Sequence, residues 1–252
     1  MSYDGGKGQA GVFQRIINQM PPHDLYIEGC LGAGAVMRAK RPAICSIGVE
    51  LDTEVLTAWR GDEVSNLVLI NADIVHWLQE RQEMMKPTTL VYLDPPYLMS
   101  TRRSQRNLYR CEMTDRQHQE LLTVANSLSC MVMISGYYSP MYVDLLRGWR
   151  AISFEVMTRG GCPATEWLWM NFAEPAELHD YRYVGEGFRE RERIKKKINR
   201  WRLKLERMSL LERRALLAAL DEFDGGGSAR SRTATSDDAA GGALVGFDDA
   251  AR

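Results

Sequence analysis

The sequence predicts an α/β fold: a Rossmann-like, mostly parallel sheet that ends in an antiparallel hairpin, followed by a basic helix. Three observations predict it. Short apolar runs at residues 25–27, 44–49, 67–70, 90–93 and 131–135 alternate with helical stretches, the pattern of a parallel sheet with crossover helices. The first run passes into a glycine-rich turn, residues 28–35, and then a helix, as in the first crossover of a nucleotide-type fold. The first four runs lead into acids, Glu28, Glu50, Asp73 and Asp94. In open α/β sheets that edge is where ligands bind.

Composition bounds the rest. The chain has 252 residues, 45% of them hydrophobic and 26% charged, with net charge −1. That length suits one large α/β domain with extensions. The expected division is 1–180 for the main domain, 181–223 for a basic helical extension and 224–252 for a disordered tail rich in Gly, Ser, Ala, Thr and Asp. The five cysteines are scattered and form no CxxC pair, so no zinc site or disulfide framework is expected. No stretch approaches the roughly 20 apolar residues that cross a bilayer, and the N-terminus has no apolar leader. A cytoplasmic location and no membrane partner follow as expectations.

In chain order, Lys7 lies within Gly5-Gly6-Lys7-Gly8, where a flexible terminus and an anion contact compete as readings. Val12, Ile16, Ile17 and Met20 give a first helix an apolar face that Pro21-Pro22 closes. The turn after the first strand holds Gly32 and Gly34 but no Gly-Lys-Ser/Thr, so it is not a P-loop. Glu28 at its start would repel a pyrophosphate and suits a cationic or amino ligand. Glu50 ends the second strand about 20 residues beyond the turn, the spacing of a ribose-binding acid. Asp73 follows the third strand. Asp94-Pro95-Pro96-Tyr97 follows the fourth, where two prolines leave the turn few conformations.

Further on, the segment 98–112 is polar and carries Arg102, Arg103, Arg106 and Arg110 with Tyr109 among them. Basic and aromatic residues together suit nucleic acid. Thr114 reads as the cap of a helix whose His118 sits near an apolar face, more as a core residue than a ligand. Residues 151–157 and 165–172 read as a hairpin. From 189 to 214 basic residues outnumber acidic ones about three to one. Ile194, Ile198, Trp201, Leu205 and Met208 form one seam there, for packing on the core or for helix-mediated self-association. Lys195, Lys196, Lys197 and Arg200 form a face for phosphates.

These residues resemble the Dam-like DNA adenine-N6 methyltransferases, in their compact phage and prophage forms. The resemblance runs from Tyr3 to about Phe172. Tyr3 and Lys7 match an aromatic followed four residues later by lysine. Residues 27–36, IEGCLGAGAV, match the family's EPFxGGGAV turn, with Gly29-Cys30 in place of Pro-Phe. Glu50 and Asp73 match the acids for the cofactor's ribose and adenine. Residues 94–97 match the catalytic DPPY, and TEWLWMNF at 165–172 matches the family's closing strand.

The resemblance implies the S-adenosylmethionine-dependent methyltransferase fold and transfer of a methyl group to a flipped base in double-stranded DNA. It assigns Asp94, Pro95, Pro96 and Tyr97 to catalysis. Tyr3, Lys7, Glu28, Gly32, Gly34, Glu50, Asp73 and Asp94 go to the cofactor. No metal is needed. The stretch 80–86 is too short for a separate target-recognition segment. Target reading falls instead to the 102–110 loop, the loop at Gly160, or the basic helix. Cytosine-N4 or RNA amino groups, and a DNA-binding protein without catalysis, are the alternative readings.

Overall fold

The computed structural model describes residues 7–8, 11–59, 64–102, 106, 108–157 and 162–228. The chain divides into two compact units, Met1–Lys195 and Lys196–Arg252. The first unit is the α/β body. Its strands are β1 (Leu25–Gly29), β2 (Cys45–Glu50), β3 (Leu67–Asn71), β4 (Thr89–Leu93), β5 (Met131–Tyr137), β6 (Arg150–Met157) and β7 (Pro163–Met170). They form one sheet in the order β3-β2-β1-β4-β5-β7-β6. The first five are parallel, and β7 enters antiparallel between β5 and β6. This is the Rossmann-like, mostly parallel sheet with a closing hairpin that the strand pattern predicts.

Helices α1 (Val12–Ile17), α2 (Ala35–Ala39), α3 (Thr53–Trp59), α4 (Ile74–Glu80), α5 (Asp115–Ser127) and α6 (Pro140–Leu145) connect and flank the strands. Local chemistry sets their starts. Asp73 caps α4 by accepting from the Val75 and His76 amides. Thr114 and Gln117 form a reciprocal capping box at α5. Ser139 caps α6, with Pro140 in its first turn. Helix α1 stops at Ile17, short of the Pro21-Pro22 pair, because Asn18 already closes it by backbone bonds.

Two apolar layers hold the sheet. One gathers Trp77, Leu78, Leu121, Leu122, Val91 and Leu93; the other gathers Ile16, Ile17, Met20, Trp59, Leu90 and Met133. Alternate residues of β4 point to opposite layers, and every residue of β4 is buried. Burial of each such side chain contributes about 1.5–3 kcal/mol. The strand that carries Asp94 at its end is therefore firmly anchored in the body. His118 is fully buried, with its Nδ1 2.9 Å from the Tyr142 hydroxyl, and is a core residue.

The basic segment differs from its expectation of one helical run. It is two helices, α7 (Phe188–Arg207) and α8 (Leu210–Ser228). Ser209 stands between them and accepts from the Glu212 amide at 3.4 Å, a capping contact that starts a new helix. Helix α8 also runs past Phe223 to Ser228, into the stretch expected as a tail. No residue of α7 is buried, and Ile198 and Trp201 of its seam are 53% and 49% exposed. None of the described helices is long and apolar enough to cross a membrane.

Candidate functional site

Strand β1 lies between β2 and β4, so the strand order reverses beside it. The crevice outside β1 and β4 is the switch point where such sheets bind ligands. The glycine turn fills one side of it. Gly34 has φ 57° and precedes α2. A Cβ there would come within 2.1 Å of the Trp59 ring, so only glycine fits. Trp59 in turn donates its indole N–H to the Gly32 carbonyl at 2.8 Å. Cys30 takes φ 55° in the same turn.

Glu50 braces the turn, accepting from the Gly32 amide at 2.8 Å and the Asp52 amide at 2.9 Å. Asp73 faces the same cleft while it caps α4. Glu28 is 3% exposed and accepts from the Tyr26 hydroxyl at 2.8 Å. Burial pushes its carboxyl up to about 8, against the lowering effect of that hydrogen bond. These groups, with Lys7, Asp94, Pro95 and Tyr109, line a cleft of about 940 Å³ including its open mouth.

The other side of the crevice is built on Asp94. Its Oδ1 accepts from the Ser135 hydroxyl at 2.8 Å, and Ser135 meets the Tyr92 hydroxyl at 2.9 Å. Lys7 Nζ lies 2.8 Å from Asp94 Oδ1 and 2.8 Å from Glu166 Oε1, and donates to the Tyr97 hydroxyl at 2.6 Å. Tyr97 donates to the second Glu166 oxygen at 2.9 Å. The Tyr97 ring stacks on Tyr137, with centroids 4.1 Å apart and planes at 18°.

Lys7 Nζ is 4.8 Å from the Tyr97 ring centroid. Together with the 2.6 Å hydroxyl contact, that places the ammonium off the phenol edge rather than above the face. Burial pulls the Lys7 ammonium down, but Asp94 and Glu166 together outweigh it and hold it well above its ordinary value. Burial pushes Glu166 up, partly offset by Lys7. We take Lys7 as charged, because three acceptors converge on it.

Lys7, which the resemblance assigns to the cofactor, lines the cleft and lies between the Asp94 and Glu166 carboxylates. Arg102, expected on nucleic acid, turns inward: it is 7% exposed, pairs with both Glu112 oxygens and donates to the Tyr97 carbonyl at 2.7 Å. It fastens the 98–112 loop to the DPPY turn. Arg110 is exposed at the cleft and pairs with Glu54 and Asp52. Arg106 is exposed, as are Lys195, Lys196, Lys197 and Arg200 on α7. Tyr3, Arg103 and the Gly160 loop lie outside the described residues.

Four site residues escape sequence reasoning: Tyr92, Ser135, Tyr137 and Glu166. Glu166 does carry a signal, the single acid in a mostly apolar strand. Strand β7 runs antiparallel and pairs Glu166 with Tyr137. Its early residues therefore lie at the edge where the parallel strands finish.

Residues 67–157 match the D12 class N6 adenine-specific DNA methyltransferase family, in agreement with the Dam-like resemblance. The match takes in β3 to β6 and the DPPY turn; the glycine turn and Glu166 lie outside it. No curated protein matches the chain. Among solved structures, similarity extends to a precorrin 8w decarboxylase from Methanobacterium thermoautotrophicum at 12% identity and TM-score 0.44, covering 69% of this chain and 100% of that one. A SAM-dependent methyltransferase from Agrobacterium tumefaciens is 12% identical with TM-score 0.42, over 64% of this chain and 60% of that one. An rRNA methylase from Streptococcus thermophilus is 11% identical with TM-score 0.40, over 63% and 92%.

Proposed function

We propose that the chain is a site-specific DNA methyltransferase that uses S-adenosylmethionine to methylate the N6 amino group of a flipped adenine. The observation that carries this reading is the juxtaposition at the switch point. A ligand cleft on β1 adjoins a carboxylate and a carbonyl on β4, with an aromatic ring beside them. The adenine-specific class matched over residues 67–157 favours adenine N6 over cytosine N4.

The cleft suits the cofactor. Glu28 is a buried acid that a ligand ammonium would restore to its charged form. Glu50 is held by two amides with lone pairs left for ribose hydroxyls. Gly32 and Gly34 let the backbone approach the ligand closely, and Asp73 stands on the adenine side. When bound, S-adenosylmethionine supplies an electrophilic methyl group on a sulfonium.

An exocyclic amine is conjugated with its ring and is a poor nucleophile. Flipping its base out of the duplex costs a few kcal/mol. Tyr97, its ring backed by Tyr137, recovers part of that by stacking on the flipped base. Asp94 and the Pro95 carbonyl accept the two amino hydrogens, which aims the nitrogen lone pair at the methyl group. As the N–C bond would form at the expense of the sulfonium's S–C bond, positive charge grows on that nitrogen; Asp94 is in place to stabilise it, and the surplus N–H proton would leave to water. Alignment of the two partners supplies much of the remaining rate. The exposed Arg106, Arg110, Lys195, Lys196, Lys197 and Arg200 hold the DNA backbone.

Asp94→Ala is expected to lower methyl transfer at least about 100-fold while the protein still binds S-adenosylmethionine in calorimetry. Unchanged transfer in that variant would refute the assignment. Mapping modified bases in DNA from an expressing host separates N6-methyladenine from N4-methylcytosine.

A further inference from the structure

We propose that Lys7 and Glu166 are a pair of positioning residues. Lys7 ties the Asp94 carboxylate to the Tyr97 hydroxyl, and Glu166 balances the lysine so that Asp94 still presents net negative charge to the acceptor nitrogen. The inference rests on reading the site as a methyl-transfer clamp, and it joins two residues 159 positions apart in the chain.

Geometry supports the tie. One ammonium contacts Asp94 at 2.8 Å, Tyr97 at 2.6 Å and Glu166 at 2.8 Å. It donates hydrogen bonds to Tyr97 and Glu166 and forms an ion pair with Asp94. The ammonium sits at the hydroxyl edge of Tyr97 rather than over its ring. One rung of the sheet sets the other side. Tyr137 and Glu166 are register partners; Tyr137 backs the Tyr97 ring, and Glu166 accepts a hydrogen bond from its hydroxyl at 2.9 Å.

Charge supports the balance. Side-chain exposures are 5% for Lys7, 20% for Asp94 and 2% for Glu166, so water screens these charges poorly. One ammonium and two carboxylates leave one net negative charge. Without Glu166, Lys7 would cancel Asp94. The nitrogen gaining a methyl group would then meet a neutral pair with an ammonium one hydrogen bond away. With Glu166 present, the lysine is already compensated, and the growing positive charge meets an anion.

The test uses the full chain, tritium-labelled S-adenosylmethionine at saturation and unmethylated genomic DNA. Glu166→Gln is expected to slow transfer about 100-fold, the scale seen when one electrostatic stabiliser of a transition state is removed. Cofactor affinity by calorimetry should stay within about threefold, because the change acts on the acceptor side. Adding Lys7→Met to Glu166→Gln returns the site to one negative charge, and should recover about tenfold or more of the missing rate. Glu166→Asp keeps the charge and serves if the glutamine variant does not fold; it should stay within about tenfold of the parent.

A double variant no faster than Glu166→Gln overturns the proposal. So does a Lys7→Met variant whose only defect is a cofactor Kd raised about tenfold or more, since Lys7 would then serve the cofactor. Transfer by the parent chain separates the two readings: a parent that methylates no DNA refutes the function itself, whereas an active parent with additive variants refutes only the pairing.

Discussion

Glu28 shows how far a single residue can be tuned by its surroundings. Burial lifts its carboxyl from an ordinary 4.5 to about 8. Between those values the unfolded chain releases the proton and the folded chain keeps it. Stability therefore falls as pH rises through that window, by up to about 1.4 kcal/mol per pH unit from this group. Glu28→Gln removes the slope. Its thermal midpoint is expected to gain on the parent as pH is raised from about 5 to about 8, and parallel curves would exclude the effect. A ligand ammonium beside Glu28 would draw the proton off. Calorimetry in two buffers of different ionisation enthalpy should accordingly detect proton release on S-adenosylmethionine binding. At this scale the sequence is legible where covalent geometry constrains it, as in Asp94-Pro95-Pro96-Tyr97. It is illegible where a side chain's direction decides. Arg102 and Arg110 look alike in sequence, yet one is buried against Glu112 and the other lines the cleft mouth.

Among the elements, the turn between β1 and α2 tolerates least. Gly34→Ala forces a side chain into both a left-handed backbone and the Trp59 ring. A strained position alone costs about 1–3 kcal/mol, and the clash adds to it. The expected result is a lowered unfolding midpoint together with weakened S-adenosylmethionine binding; an alanine variant matching the parent in both would contradict the packing argument. Strand positions are readable because a buried parallel strand is an apolar run with an abrupt polar stop. The direction of β7 leaves a weaker trace, because antiparallel entry shifts the functional residue from the end of the strand to its beginning. Glu166 is hard to find for that reason. The break between α7 and α8 hinges on Ser209 alone, a small local signal inside a strongly helical composition.

For the whole molecule, charge is distributed rather than abundant. The net charge is −1, while Lys195, Lys196 and Lys197 share one exposed stretch of α7. Replacing all three by glutamine is expected to weaken DNA binding regardless of sequence. It should also flatten the slope of log K against log salt by up to about 2.7, at about 0.9 for each phosphate left unneutralised. An unchanged slope would take these lysines off the DNA. The overall plan is legible because the alternation of strands and helices is a property of the whole chain. The placement of polar side chains depends on neighbours far away in sequence, as that of Lys7 and Glu166 does. One consequence follows from β1 and β4 being direct neighbours. The donor cleft and the acceptor clamp are spaced by one rung of backbone hydrogen bonds, about 4.8 Å. The spacing of the two turns is thus inherited from the main chain, while side chains set what each turn presents. On the function proposed above, loops that read the target can diverge without shifting that backbone spacing, so new sequence preferences can evolve on one reaction frame.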